Sequence, residues 1–355
     1  MGTISILVPS LNARQFLEPR VGSIIDQTFS GWEVILLDSG SSDGTSEYFN
    51  SVAARDSRFQ LHQIPREGLY AALNRGFALA TGDFIHIATA DDSMSPDFFE
   101  QMLDAFARCP KAGIAACDLQ FINRDGNELS PDDLRGHLSS RAAQNLLNLG
   151  HVRAAFPGER LVQMNYRAVP HDCLLHCDGH SVYFSLNQLL VRTDVARAAG
   201  QFQTDIGSVA DFDWLLRLTN SAGTVHVPKK IAMWRFHGDQ LSVHGDESRA
   251  SSRTAAAGKT LRSVTDKFPG LLSENDRAAL LLPLKITESN TVAARIQGWF
   301  TSLARMSVML VTRPIPTIRA LLRTKFRFGT RRYSLLPMVF SGLKLMPKTV
   351  ERLSS

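Results

Sequence analysis

Through the first part of the chain, short continuous apolar runs alternate with stretches in which apolar residues recur every three or four positions. Residues 4–8 (ISILV) form the first run, which Pro9 is expected to end because it has no N–H for a ladder. Phe16, Leu17, Val21, Ile24 and Ile25 follow at helical spacing, and residues 32–37 (WEVILL) make a second run that stops at Asp38. Strand, helix, strand in this order predicts parallel strands in an α/β fold, a mostly parallel sheet flanked by helices. After the turn at Thr81, Gly82 and Asp83, Phe84, Ile85, Ile87 and Ala88 predict a further buried strand. It runs into two adjacent acids, Asp91 and Asp92, ahead of a helix carrying Phe98, Met102 and Phe106. Residues 112–117 read as another strand, residues 123–127 (NRDGN) as a hairpin turn, and residues 142–149 as a helix.

Two carboxylates at the end of a buried strand change the picture from fold to chemistry. Ligands of open α/β sheets bind at that carboxyl edge. No basic residue lies between Asp83 and Pro96, so the pair repels itself unless a divalent cation or hydrogen bonds offset the repulsion. Mn²⁺ or Mg²⁺ bridging a diphosphate is the economical reading, with Asp92 as first ligand and Asp91 beside it. A helix cap is the alternative, since Ser93, Ser95 and Asp97 precede the next helix. Asp38, at the tip of the second strand, has the position from which an acid contacts a ribose or base edge in nucleotide-binding sheets. Asn74 and Arg75 lie on a short helical pattern before the acidic strand, where Arg75 could meet phosphate or remain a solvated cation.

The chain has 355 residues, 44% hydrophobic and 21% charged, enough for a large α/β domain with additions. Four cysteines, at 109, 117, 173 and 177, are too few and too unevenly placed for a disulfide scaffold, and no signal-peptide pattern opens the chain. A cytosolic protein is expected, without a spanning helix because no run of 18 apolar residues occurs. The net charge of +5 is unevenly distributed. Residues 295–355 hold 12 Lys and Arg against Glu351 alone, and the rest of the chain is mildly acidic.

Residues 4–12 (ISILVPSLN), 33–45 (EVILLDSGSSDGT) and 89–92 (TADD), in this order and spacing, resemble the nucleotide-sugar domain of the family-2 glycosyltransferases with the GT-A fold. Residues 68–76 (GLYAALNRG) are similar to the family's stretch before the acidic motif. The resemblance implies donor contacts from Pro9, Ser10, Asn12, Asp38, Gly68, Asn74, Arg75 and Asp91, and inversion at the anomeric carbon. The chain departs from the pattern in having Ser39 where the family often has a second acid, Thr89 where it has an acid or Asn, and Asn187 where it usually has His.

A second acidic cluster, residues 210–218 (ADFDWLLRL), is similar to the family's Glu-Asp-Tyr-Asp stretch, with Ala210 in place of the Glu. Its helical spacing pairs Asp213 with Arg217 at i,i+4 and leaves Asp211 as the candidate general base, with Asp213 as the competitor. Residues 234–242 (WRFHGDQLS) resemble the family's closing Arg-x-His element, which makes His237 a candidate third metal ligand or diphosphate contact. The stretch 171–180 (HDCLLHCDGH) invites a zinc reading, but its Cys and His spacings are nested and no second pair completes a tetrahedral site.

Beyond residue 247, Val292, Ile296, Trp299, Leu303, Met306 and Leu310 form an apolar helical stripe. Pro314 and Pro316 interrupt it, and Ile318, Leu322 and Phe326 resume it beside Arg319, Arg323, Lys325 and Arg327. Basic amphipathic helices suit an anionic membrane surface better than nucleic acid. Packing on the catalytic domain or in a homodimer is the alternative.

The expected organisation is a nucleotide-sugar half at 1–118, an acceptor-binding and catalytic half at 119–246, and a basic helical extension at 247–355. The expected function is inverting, metal-dependent transfer from a UDP-type donor to a saccharide or lipid-linked saccharide, peripheral on the cytosolic membrane face. A sugar nucleotidyltransferase is the runner-up, although no Gly-rich basic loop follows the first strand. A non-catalytic basic membrane-binding protein would leave the acids unexplained.

Overall fold

The computed structural model describes residues 2–130, 133, 164–176, 183–237 and 350–353, with isolated helical positions between 256 and 267. The helix expected at 142–149, the end of the 171–180 stretch and the amphipathic pattern at 292–327 lie outside these residues. Strand β1 (Ile4–Ser10) pairs in parallel with β2 (Trp32–Asp38) and β4 (Phe84–Ile87), and β2 pairs in parallel with β3 (Phe59–Gln63). Strand β8 (Leu189–Arg192) runs antiparallel to both β4 and β6 (Ile114–Ile122), and β9 (Thr224–Arg235) returns parallel to β6. Short strands complete one mixed sheet among the described residues: β5 (Ser93–Met94) and β7 (Asn165–Arg167) on β9, and β10 (Val350–Arg352) on β7.

Strand alternation sends Ile4, Ile6 and Val8 to one face, under α1 (Arg14–Ile25), α2 (Thr45–Ala53) and α4 (Phe98–Arg108). Leu7, Ile35 and Leu37 pack on the other face against α3 (Leu69–Leu79) and α7 (Ala210–Ser221). A Cβ on Gly76 would lie 2.8 Å from Leu37, so the absent side chain is what lets α3 sit this close to the sheet. Between these elements lie α5 (His171–His176) and α6 (Thr193–Ala199).

Two expectations about the chain's course are corrected. Strand β1 does not stop at Pro9 but continues to Ser10, because Pro9 faces the β4 side, where the β1–β4 ladder has already ended at Leu7 and Ile87. The missing N–H therefore costs no bond. The boundary drawn at 118 falls inside β6, and β10 returns the far end of the chain to the same sheet. A register shift at Cys117 and Asp118 bends β6 and β9, and their upper halves, with β5, rise beside the end of β4.

Away from that edge, Arg167 and Asp172 form a buried ion pair, Nε to Oδ1 2.6 Å, with the Tyr183 hydroxyl donating to Asp172. Burial alone would push the Asp172 carboxyl up, but the charges of Arg167 and His171 and its hydrogen bonds bring it down to about 2. A depressed carboxyl contributes stability that is present above its unfolded pKa of about 4 and is lost as pH falls toward 2. Asp172→Asn, which strands the buried Arg167, should therefore cost about 3–5 kcal/mol at neutral pH. Urea unfolding of both proteins between pH 7 and pH 2 checks this. The gap should close at the acid end, and a pH-independent gap would contradict the assignment.

Candidate active site

Of the loops at the carboxyl edge of the four parallel strands, those after β1, β2 and β4 carry the candidate residues. The first two loops are stapled together. Asn12, at φ 51°, donates its N–H to Ser41 Oγ (2.9 Å) and accepts at Oδ1 from the Ser42 N–H (2.9 Å), while the Ala13 N–H donates to Thr45 Oγ1 (3.1 Å). Asp38 is fully buried between them. Its Oδ1 accepts from the Ser41 N–H at 3.1 Å, whereas Oδ2 and the nearby Ser10 Oγ have no hydrogen-bond partner among the described residues. Buried polar atoms left unpaired are costly, and these two lie side by side at the paired ends of β1 and β2.

After β4, the backbone turns with the Asp92 N–H on the Thr89 carbonyl (3.3 Å) and separates the two acids. Asp92 is 1% exposed. Its Oδ1 accepts from the Arg235 N–H at 2.9 Å, and its Oδ2 accepts from the hydroxyls of Thr89 (2.5 Å) and Ser185 (3.1 Å). Burial first, and repulsion from Asp91 second, push its pKa up to about 7, against the pull of Arg20. Asp91 points the other way. Its side chain is 30% exposed, and its Oδ2 lies 3.1 Å from His237 Nε2. The His237 ring rests on Phe16, centroids 4.6 Å apart, and Arg235 donates from Nε to the Asp91 carbonyl at 2.8 Å. Asp92 is thus committed to holding the loop, whereas Asp91 is the more exposed acid, beside a His237 side chain that is itself largely buried. The helix-cap alternative also falls away, because β5 intervenes before α4 and no side chain at that helix's N-cap donates or accepts a capping bond.

Several residues expected to touch a donor are otherwise engaged. The Asn74 amide clamps the Phe202 backbone, accepting from its N–H (2.8 Å) and donating to its carbonyl (2.9 Å), which corrects the donor-contact reading. Arg75 pairs with Glu67 at 2.6 Å on the surface. Gly68 caps α3 at φ 96°, a conformation that requires glycine, and open space lies where a Cβ would be. Pro9 is buried in β1 as backbone support.

The second acidic cluster opens α7. A two-residue connection, Ala222 and Gly223, reverses the chain into β9, so the first turn of α7 lies toward the strands' carboxyl edge. There Asp211 is part-exposed and caps the Phe212 N–H at 2.6 Å. Asp213 is 8% exposed and bound to Arg217 at 2.9 Å, as the i,i+4 spacing predicts, while Arg217 also donates to the Ala199 and Gln201 carbonyls. Asp213 therefore anchors α7 to the loop that follows α6. In the 171–180 stretch, His171, Cys173 and His176 are buried in α5, and no set of three metal-ligating side chains converges among the described residues.

Three contributors were missed by the sequence reading: Arg20, Ser185 and Arg235. Ser185 and Arg235 bond the acids and Arg20 bonds the Thr89 carbonyl, all across long sequence separations. A cleft of about 610 Å³ between α1 and the 123–127 hairpin shares the walls Phe16 and Arg235, so a ligand in it would lie one side chain from Asp91.

A mostly parallel sheet with polar loops after β1, β2 and β4 at its carboxyl edge is the arrangement of a nucleotide-binding α/β fold. The model of the family described as glycosyl transferase family 2 matches residues 5–164, and this part of the chain is a family-2 glycosyltransferase domain. The chain is 30% identical over 102 residues to a putative teichuronic acid biosynthesis glycosyltransferase of Bacillus subtilis, covering 28% of this chain and 40% of that protein. It spans no more than half the length of the first curated relatives it matches. Among solved structures it resembles Staphylococcus aureus TarS 1-349 in complex with UDP-GlcNAc, with a TM-score of 0.57, 12% identity, and coverage of 80% of this chain and 72% of that one. A mannosyltransferase of Pyrobaculum calidifontis in complex with GDP-Man and Mn²⁺ gives a TM-score of 0.51 at 16% identity, covering 97% and 87%. These likenesses bear out the GT-A fold.

Proposed function

We propose that the chain moves a sugar, with inversion, from a nucleoside diphosphate, UDP in preference to GDP, to a saccharide or lipid-linked saccharide hydroxyl. The observation that carries this is the Asp91–His237 pair at 3.1 Å, set at the same edge as the unpartnered Asp38 Oδ2 and Ser10 Oγ. Asp38 and Ser10 would hold the base and ribose. The donor set suits Mn²⁺ or Mg²⁺, since one carboxylate and one imidazole leave the remaining positions to diphosphate oxygens and water. When bound, the cation supplies Lewis-acid stabilisation of the departing diphosphate. Asp211 would take the proton of the attacking hydroxyl. The Mn²⁺ held by the Pyrobaculum mannosyltransferase and the UDP-GlcNAc held by TarS support the reading by kinship of fold. Thermal-shift profiling with Mn²⁺ and a panel of UDP-, GDP- and dTDP-sugars tests it. A shift with UDP-sugars is expected, and no shift with any member would end the reading.

We also propose that the basic tail binds an anionic membrane on the cytosolic face. No helix among the described residues is long and apolar enough to cross a membrane. Because β10 belongs to the sheet, the test keeps the whole chain and replaces Arg319, Arg323 and Arg327 by Gln. Flotation with anionic liposomes should weaken by about 3 kcal/mol, about 1 kcal/mol per charge. Equal flotation with neutral liposomes would favour packing of this segment on protein.

A further inference from the structure

Arg20 is wholly buried, and charges are not buried without a task that offsets their desolvation. Among the described residues it forms no carboxylate hydrogen bond. Instead its Nε donates to the Thr89 carbonyl and its Nη2 to Asn187 Oδ1, both at 2.9 Å. The Asn187 amide passes the connection on, donating from Nδ2 to the Ser93 carbonyl at 2.9 Å and the Met233 carbonyl at 3.4 Å. Residues 89–93 are therefore held at both ends, and Asp91 stands at the middle of the held segment. One turn earlier on the same face of α1, Phe16 carries the His237 ring. A single helix thus fixes both the segment that carries Asp91 and the His237 ring beside it.

Thr89 and Asn187 are also positions at which the chain departs from the pattern of the resembling family, which has an acid or Asn at the first and usually His at the second. The Thr89 hydroxyl donates to Asp92, and Asn187 receives Arg20. With no acid at 89, a cation beside Asp91 and Asp92 offsets the repulsion of only two carboxylates, and neutral Asn187 accepts its second N–H without competing for it. We propose that Arg20 and Asn187 are positioning residues: braced together, they hold the 89–93 segment so that Asp91 faces His237 at the spacing a divalent cation and a diphosphate require. This rests on the reading of Asp91 and His237 given above.

The test is Mn²⁺ binding in the presence of UDP, followed by the electron paramagnetic resonance signal of free Mn²⁺. Full-length wild type, Arg20→Lys, Asn187→Ala and, as control, Asp172→Asn are compared after circular dichroism has shown each to be folded. Lysine keeps the charge but cannot reach both acceptors. Affinity should fall about 10- to 100-fold in Arg20→Lys and Asn187→Ala, the range for loss of a group that orients a metal ligand. The control, which loses stability elsewhere, should stay within about twofold of wild type. Variants matching wild type, or a control that loses as much as they do, would overturn the bracing role while leaving the Asp91–His237 reading intact. Absence of Mn²⁺ binding in wild type would overturn both.

Discussion

Asp91→Asn should weaken Mn²⁺-dependent nucleoside diphosphate binding on the order of a hundredfold or more, about 3 kcal/mol, while Asp92→Asn should leave it within about tenfold of wild type. The two side chains are chemically identical neighbours, so the difference comes wholly from what surrounds them. Asp91 has an oxygen beside His237 and access to solvent, and an amide there cannot supply the charge that holds a hard cation. Asp92 has both oxygens occupied by the Arg235 N–H and by the hydroxyls of Thr89 and Ser185. An amide in that place keeps the acceptor for Arg235 and can donate to either hydroxyl, so the loop survives. It also removes a charge whose burial is unfavourable. Isothermal titration of UDP with and without Mn²⁺ separates the two variants. Metal dependence lost in Asp92→Asn and kept in Asp91→Asn would restore the order that the sequence alone suggests.

The reasons that order was not legible are physical. Adjacency of two acids at the end of an apolar strand shows that both reach one sheet edge, but which turns outward depends on the single turn from Thr89 to Asp92 and on acceptors at 185 and 235. The parallel strands β1, β2 and β4 were readable because buried parallel strands are near-continuous apolar runs, and each ends where its polar loop begins. The Asp213–Arg217 bond was readable because helix geometry makes it local. Asn74 was misassigned because its partner, the Phe202 backbone, lies 128 residues away. Arg20 gave no signal at all, since a cation in an amphipathic helix ordinarily faces water, and its partners lie 69 and 167 residues on.

Replacement of Asp211 by Asn should keep donor affinity and lower transfer on the order of 10²- to 10⁴-fold, the loss of a general base. In a single displacement the acceptor hydroxyl attacks from the side opposite the diphosphate, so its proton cannot go to Asp91. A carboxylate is needed from another element that opens on the same edge, and α7 supplies two. Asp213 is bound to Arg217, which is itself fixed to the Ala199 and Gln201 carbonyls, so it is not free to turn toward an acceptor. Asp211 keeps part of its surface open at the first turn, and the bond it accepts from the Phe212 N–H orients the carboxylate. Asp213→Asn should instead loosen α7 from the loop after α6 and appear as lower stability, about 1–3 kcal/mol, with kcat reduced far less. Comparing kcat and UDP-sugar affinity for the two variants decides between them. A collapse of donor binding in Asp211→Asn would place that residue in the donor site, and a selective loss of kcat in Asp213→Asn would make Asp213 the base.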